Sequence, residues 1–413
     1  MHRSQVHTPN KINPTAYGII QYLNRGKSIK SLPGVAEGER AADVHLFFSN
    51  LKAAYDGSLS NPDEALAVER EQYSFDFTRL PILGEIAVTY RCNNVCRFCY
   101  ASCDSGRQIQ AELSTGKIKR IIKIFKNEAK LPFFSFTGGE PLLRSDLESL
   151  IRFAEKHGLR TNLITNGMLA TPRRAESLSA SGLKTAQVSL ESSDESVHDN
   201  LTGVPGSWRQ TIDGIKNLMR CGLSVQTNTT LTAKNAHSAA ELPAFLAELG
   251  ISRFAMNLFI PVGRGLYNQE LFLPYSKAGT YIEAARAAAR GCGLIFYWYS
   301  PLPHCHYNPI AKGLGNKSCA AMDGLLSISP TGDVLPCSSY SESLGNILTE
   351  RFSEIWFSER AMFFKKKRYA PSECKGCESF VACQAACPLY WEYAGCDEIV
   401  GCRHKSLEGQ RCR

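Results

Sequence analysis

At 413 residues, 44% of them apolar and 21% charged, the chain is long enough for two or three domains and can bury a core without covalent staples. Its formal charge of +8 is modest and spread out, so it points to no nucleic-acid partner; the clearest basic run, Lys365, Lys366, Lys367 and Arg368, reads as a solvated surface face. The opening stretch MHRSQVHTPNKINP has no signal-peptide pattern and no apolar run approaches a membrane span, so the expectation is a reduced, cytoplasmic protein without a membrane partner, whose 16 cysteines are not a disulfide scaffold.

Residues 1–80 read as a mainly helical extension, with helical periodicity over Ala41–Tyr55 and a second helix over Glu64–Glu71. No motif chemistry marks this stretch, and its two readings are packing against the main domain and recognition of a peptide substrate. Residues 81–300 change character. Strands are expected at Glu85–Thr89, Phe133–Phe136, Thr161–Thr165, Thr185–Leu190, Ser224–Leu231 and Phe254–Phe259. They alternate with helices near Thr115–Ala129, Asp146–His157, Pro172–Ser181, Ser207–Cys221 and Ala240–Leu249. Alternating βα units imply an α/β fold with a parallel sheet, and six units imply a partial (β/α)6 TIM-like barrel, open on one side. Another helix near Lys277–Arg290 leads to an aromatic stretch ending at Tyr299, with a boundary near Ser300. Residues 301–413 are cysteine-rich, with a hairpin over Leu325–Val334 turning at Pro330, Thr331 and Gly332.

Cys92, Cys96 and Cys99 form C-x3-C-x2-C directly after the first strand. Three thiolates on one loop suit three corners of an iron–sulfur cubane and leave one iron free to bind a small molecule. Structural zinc would need a fourth ligand, which Cys103 offers. Thr137, Gly138, Gly139, Glu140 and Pro141 follow the second strand, where glycines allow the backbone to approach a ligand closely.

The C-x3-C-x2-C loop, with Phe98 and Tyr100 around its last cysteine, and the TGGEP turn on the next strand together resemble the radical S-adenosylmethionine superfamily. The resemblance implies a 4Fe-4S cluster on Cys92, Cys96 and Cys99, and S-adenosylmethionine bound near Phe98, Tyr100, Thr137, Gly138, Gly139 and Glu140. It also implies ribose and adenine contacts near Asn166, Ser189 and Glu191, while Arg264 is either a carboxylate clamp or a surface arginine.

Cys319-x12-Gly332-x4-Cys337, a gap, and Cys374-x2-Cys377-x5-Cys383-x3-Cys387, followed by Cys396, Cys402 and Cys412, resemble the SPASM extension of radical enzymes that modify peptides. The resemblance implies auxiliary cluster I at Cys319, Cys337 and Cys387 and auxiliary cluster II at Cys374, Cys377 and Cys383. Cys402 is the expected last ligand of cluster II, with Cys396 as the alternative. The fourth ligand of cluster I stays open between a leftover cysteine, a residue near His304-Cys305-His306, and an open iron. Zinc ribbons are the competing use of such C-x2-C pairs. Cys221 and Cys292 are expected as buried apolar residues.

The resemblance thus predicts three 4Fe-4S clusters, S-adenosylmethionine, a flavodoxin- or ferredoxin-type electron donor, and a peptide or protein substrate that is oxidised, crosslinked or epimerised. A role in cofactor biosynthesis, for example on a tetrapyrrole, is the second reading. A non-catalytic iron–sulfur carrier is the third, and it leaves the TGGEP turn without a purpose.

Overall fold

The computed structural model describes residues 10–12, 19, 22, 31, 38, 41–56, 68–70, 79–103 and 112–400. The chain divides into two compact units, residues 1–76 and 77–413. In the first, strand β1 (Asn10–Ile12) pairs antiparallel with β2 (Val68–Arg70), and a helix spans Ala41–Asp56. Val68–Arg70 is therefore strand where local periodicity predicts helix. Its partner lies far off in sequence, and tertiary pairing overrides a weak local preference.

The second unit holds a nine-stranded sheet: β3 (Leu83–Thr89), β4 (Phe133–Gly138), β5 (Arg160–Thr165), β6 (Thr185–Ser189), β7 (Ser224–Leu231), β8 (Arg253–Leu258), β9 (Ile295–Trp298), β10 (Leu325–Ile328) and β11 (Val334–Leu335). Its order is β11-β10-β3-β4-β5-β6-β7-β8-β9, and every neighbouring pair is parallel except β10 with β11. The six expected strands form its centre, and the sheet grows at both edges. At one edge the helix Tyr275–Gly291 returns the chain so that the aromatic stretch Ile295–Trp298 pairs with β8. At the other, the cysteine-rich region's hairpin lays β10 beside β3, with Leu325 opposite Leu83 and Ile328 opposite Ile86.

The core lies between the sheet and its helices. On the helix Thr115–Asn127, Ile118, Ile121, Ile122 and Phe125 recur at three- and four-residue spacing, the stripe that a helix must bury. Phe125 meets Phe134 of β4 edge-on at 5.4 Å, and Phe134 meets Phe136 at 4.9 Å. The opposite face is different. β5, β6 and β7 alternate strictly, so that Leu163, Val188 and Val225 are buried while Asn162, Gln187, Gln226 and Asn228 occupy the other face and are half-buried. Strands packed on both faces would be apolar throughout, so this inner face is a polar lumen and not a filled barrel core.

Cys221 is half-buried and Cys292, at the end of the helix Tyr275–Gly291, is exposed, so neither is the fully buried apolar residue expected. The basic run corrects in the opposite direction: Lys365 and Lys367 are 1% and 2% exposed. Alternate lysines turn inward because aromatic residues on the same short segment carry them into the core.

Replacing Phe134 with Ala removes a ring packed on two others, and a loss of about 3–5 kcal/mol is expected, as for other buried Phe deletions. Equilibrium unfolding of the variant against the parent measures it.

Candidate active site and cysteine clusters

The cysteine loop leaves the end of β3 and is held from three sides. Gly139 N–H donates to the Thr89 carbonyl at 2.7 Å and Glu140 N–H to the Arg91 carbonyl at 2.8 Å, locking the TGGEP turn to the root of the loop. The glycines are required by that approach: a Cβ on Gly138 would sit 2.1 Å from the Thr89 oxygen, and one on Gly139 2.2 Å from the Arg91 oxygen. Gly138 also has φ +135°. On the second side, Val95 and Arg97 N–H groups donate to the carbonyls of Thr202 and Leu201. On the third, Arg264 N–H donates to the Cys99 carbonyl, and its guanidinium donates to the carbonyls of Cys96 and Cys103, each at 3.0 Å. Arg264 is thus a brace of the cysteine loop in this structure.

Within the loop the thiols of Cys92, Cys96 and Cys99 act on one another electrostatically. Burial pushes the Cys92 thiol up to about 12 and holds the Cys96 thiol well above its ordinary value. Cys99 is pulled down to about 6 by hydrogen bonding from the Cys103 side chain, which outweighs burial. The Cys103 N–H also donates to Cys99 Sγ at 3.3 Å. Phe98 packs against Leu201, Phe259 and Leu271, which anchors the loop to the barrel wall.

Glu140 is the hub of the next layer. It is fully buried, and its carboxylate accepts from Leu142 N–H at 2.9 Å, the Thr165 hydroxyl at 2.7 Å and Asn166 N–H at 2.8 Å. Burial still raises its carboxyl above the usual range. Asn166 then donates through its side chain to Asn93 Oδ1 at 2.7 Å and lies 4.0 Å from Cys92 Sγ. Thr137 is buried on β4 beside this layer. Ser189 ends β6 opposite Asn228 of β7. Glu191 is 2% exposed and accepts from Thr230 N–H at 2.7 Å, and burial lifts its carboxyl to about 8. Phe98, Tyr100, Thr137, Gly138, Gly139, Glu140, Asn166, Ser189 and Glu191 therefore lie at or just beyond the C-terminal ends of the consecutive strands β3 to β6, and Arg264 follows β8.

The second set of cysteines gathers from distant segments. The thiols of Cys319, before β10, Cys337, after β11, and Cys387, before the helix Pro388–Ala394, influence one another electrostatically. Cys374, Cys377 and Cys383 form a second such group, and Cys396 acts on Cys374. Cys402 lies outside the described residues. His304 N–H donates to Cys383 Sγ at 3.3 Å, which places the His304-Cys305-His306 segment against this second group.

These donors suit iron–sulfur clusters. All 14 described cysteines are free thiols, and among the described residues no three His, Cys, Asp or Glu side chains converge on a point that would enclose one metal ion. Three free thiols on one loop, and two further groups of free thiols, are the soft donor sets that iron–sulfur clusters take.

Between the two cysteine regions lies a cavity of about 990 Å³. Tyr100, Ala101 and Ser102 of the cysteine loop form one wall, Ser338–Glu342 after the hairpin another, and Tyr369 and Leu389 a third. The carboxylates reaching it are Asp333, Glu342 and Glu392, and none of its described lining residues is Lys, Arg or His. Burial, then the nearby Glu342, raises the Glu392 carboxyl. Sequence patterns do not reveal this cavity, because its walls come from five separate stretches of chain.

Glu191 yields a pH signature. Its folded-state value of about 8 exceeds the ordinary 4.5, so the folded chain holds a proton that the unfolded chain gives up, and stability falls as pH rises between these values. Glu191→Gln removes that penalty. The variant's advantage in thermal unfolding should grow from pH 5 to pH 8, by about 1.4 kcal/mol for each pH step of one, and then level off.

Comparison with known proteins agrees with this geometry. Residues 86–249 match the Radical SAM superfamily, and residues 319–378 match SPASM, an iron-sulfur cluster-binding domain. The AdoMet-dependent heme synthase of Nitratidesulfovibrio vulgaris is 30% identical over 312 residues, covering 72% of this chain and 84% of that protein. The mycofactocin maturase MftC of Mycolicibacterium smegmatis is 28% identical over 319 residues, covering 74% of this chain and 78% of that one. Among solved structures, Streptococcus suis SuiB bound to its precursor peptide SuiA shares the fold, with a TM-score of 0.67 at 18% identity over 92% of this chain and 90% of that one. The chain belongs to the radical SAM superfamily of enzymes and carries a SPASM iron–sulfur cluster-binding domain.

Proposed function

We propose that the protein is a maturase that cleaves S-adenosylmethionine reductively and removes a hydrogen atom from a peptide or protein substrate, leading to oxidation, crosslinking or epimerisation. Cys92, Cys96 and Cys99 would hold the 4Fe-4S cluster that binds the cofactor, with Glu140, Asn166, Ser189 and Glu191 around it. Cys319, Cys337 and Cys387 would hold a second cluster, and Cys374, Cys377 and Cys383 a third, closed by Cys402 or Cys396. When bound, the first cluster and the sulfonium supply one-electron cleavage to methionine and a 5′-deoxyadenosyl radical, the superfamily's shared chemistry. The chain's own part is positional: the clamped glycine turn and the Arg264 brace fix the loop. The donor of the first electron would be a flavodoxin or ferredoxin.

The cavity lining supports the peptide reading. Tetrapyrrole precursors of haem bear several ring carboxylates, and a site for them needs cations. Here the described lining offers three carboxylates, five tyrosines and two phenylalanines, an environment for a neutral or basic peptide segment. The tetrapyrrole reading stays as the second one because a heme synthase is 30% identical to the chain.

Replacing Cys92, Cys96 and Cys99 together with Ala should abolish 5′-deoxyadenosine release under anaerobic dithionite and lower iron from about twelve to about eight atoms per chain. Undiminished release would sink the assignment. A polycarboxylate porphyrin should neither bind nor change the rate of cofactor cleavage in the parent enzyme. Its conversion to a decarboxylated product, seen by mass spectrometry, would replace the peptide reading with the tetrapyrrole one.

A further inference from the structure

Two buried lysines remain outside this account. Lys367 lies just beyond the helix Glu359–Lys365, with φ +51°, and its Nζ donates to the carbonyl of Cys319 at 2.8 Å. The same ammonium pairs with Asp323 at 2.9 Å. Lys365 Nζ donates to the Met322 carbonyl at 2.5 Å and lies 3.4 Å from the centre of the Trp356 ring. Both lysines thus grip one turn, Cys319 to Asp323, in which Met322 adopts φ +51° and the backbone carbonyls face inward.

A buried ammonium is costly unless something nearby needs its charge. Asp323 meets part of that need, but neutral donors would satisfy the two carbonyls without bringing two positive charges into the core. The residue whose backbone Lys367 holds is a thiolate ligand in the cluster assignment above. A 4Fe-4S cluster bound by thiolates is anionic and becomes more so on reduction, so a fixed positive charge beside it favours the reduced form. Lys367, ion-paired with Asp323, reaches the backbone of the ligand itself, whereas Lys365 reaches Met322 three residues further on.

We propose that Lys367 is a positioning residue for the auxiliary cluster at Cys319, Cys337 and Cys387: it fixes the main chain of Cys319 and biases that cluster toward its one-electron-reduced form. Lys365 supports the same turn. The inference rests on the cluster assignment under Proposed function. The step it governs is the uptake of one electron by the cluster from a one-electron reductant, with no bond made or broken in the protein.

The test is an anaerobic redox titration of the full holoenzyme followed by electron paramagnetic resonance, with dithionite as reductant. Lys367→Gln keeps an N–H donor for the Cys319 carbonyl and removes the charge. It should retain its iron and shift one of three couples about tenfold against reduction, 59 mV for a one-electron step. Asp323→Asn removes the opposing charge and should move the same couple in the other direction. Unmoved couples in both variants overturn the proposal. If Lys367→Gln loses the cluster, Asp323→Asn decides: an upward shift supports the proposal and an unchanged couple overturns it. The parent and a Cys319→Ala, Cys337→Ala variant separate this from failure of the assignment. If that double variant still shows every couple of the parent, the cluster is not held at these cysteines and the earlier reading is the one at fault.

Discussion

The parallel pairing of β3 with β10 is the contact on which the site depends. β3 ends in the cysteine loop, and β10 opens the hairpin that separates Cys319 from Cys337. Because the two strands run in the same direction, their C-terminal ends lie side by side, and the hairpin turn settles next to the root of the loop. Leu113 N–H donates to the Pro330 carbonyl across this junction, and Glu85 accepts from Ser327 where the strands meet. Without that pairing the two cysteine regions would lose their shared sheet edge, and only contacts such as Tyr275 stacked on Tyr390 would join the C-terminal region to the barrel. With it, they form opposite walls of one cavity.

A second constraint is the polarity of the lumen. Amide side chains on the inner faces of β5, β6 and β7 leave the barrel unfilled, and stability comes from the outer face, where helices bury Leu163, Val188, Val225 and their neighbours. The arrangement separates holding the fold from holding a substrate. Glu140 joins the two, since its buried carboxylate ties the turn after β4 to the end of β5 and, through Asn166, to the cysteine loop. Such a carboxylate is tolerated in the interior because three donors meet it.

Around the C-terminal cysteines the same rule operates with the opposite sign. Lys365 and Lys367 are buried where carbonyls, a carboxylate and an aromatic ring receive them. A run of four basic residues gives no hint of this, because charge patterning along the chain averages over faces. The flanking Phe364 and Tyr369 were the available signal, since they pack the segment against the core and leave alternate lysines no route to solvent.

The spacing of Cys92, Cys96 and Cys99, the TGGEP turn, the run Cys374-x2-Cys377-x5-Cys383-x3-Cys387 and the six central strands were legible in the chain because each is local. Loop cysteines, tight turns and βα periodicity are written within a few residues of one another. Only the tertiary structure decided the rest: β9 and β10 as added edges, β2 as strand, Arg264 as a brace, the buried lysines and the cavity with its carboxylates. Each of these depends on which distant segments come together. Strand pairing and burial are properties of that meeting, and no single stretch of sequence contains both partners.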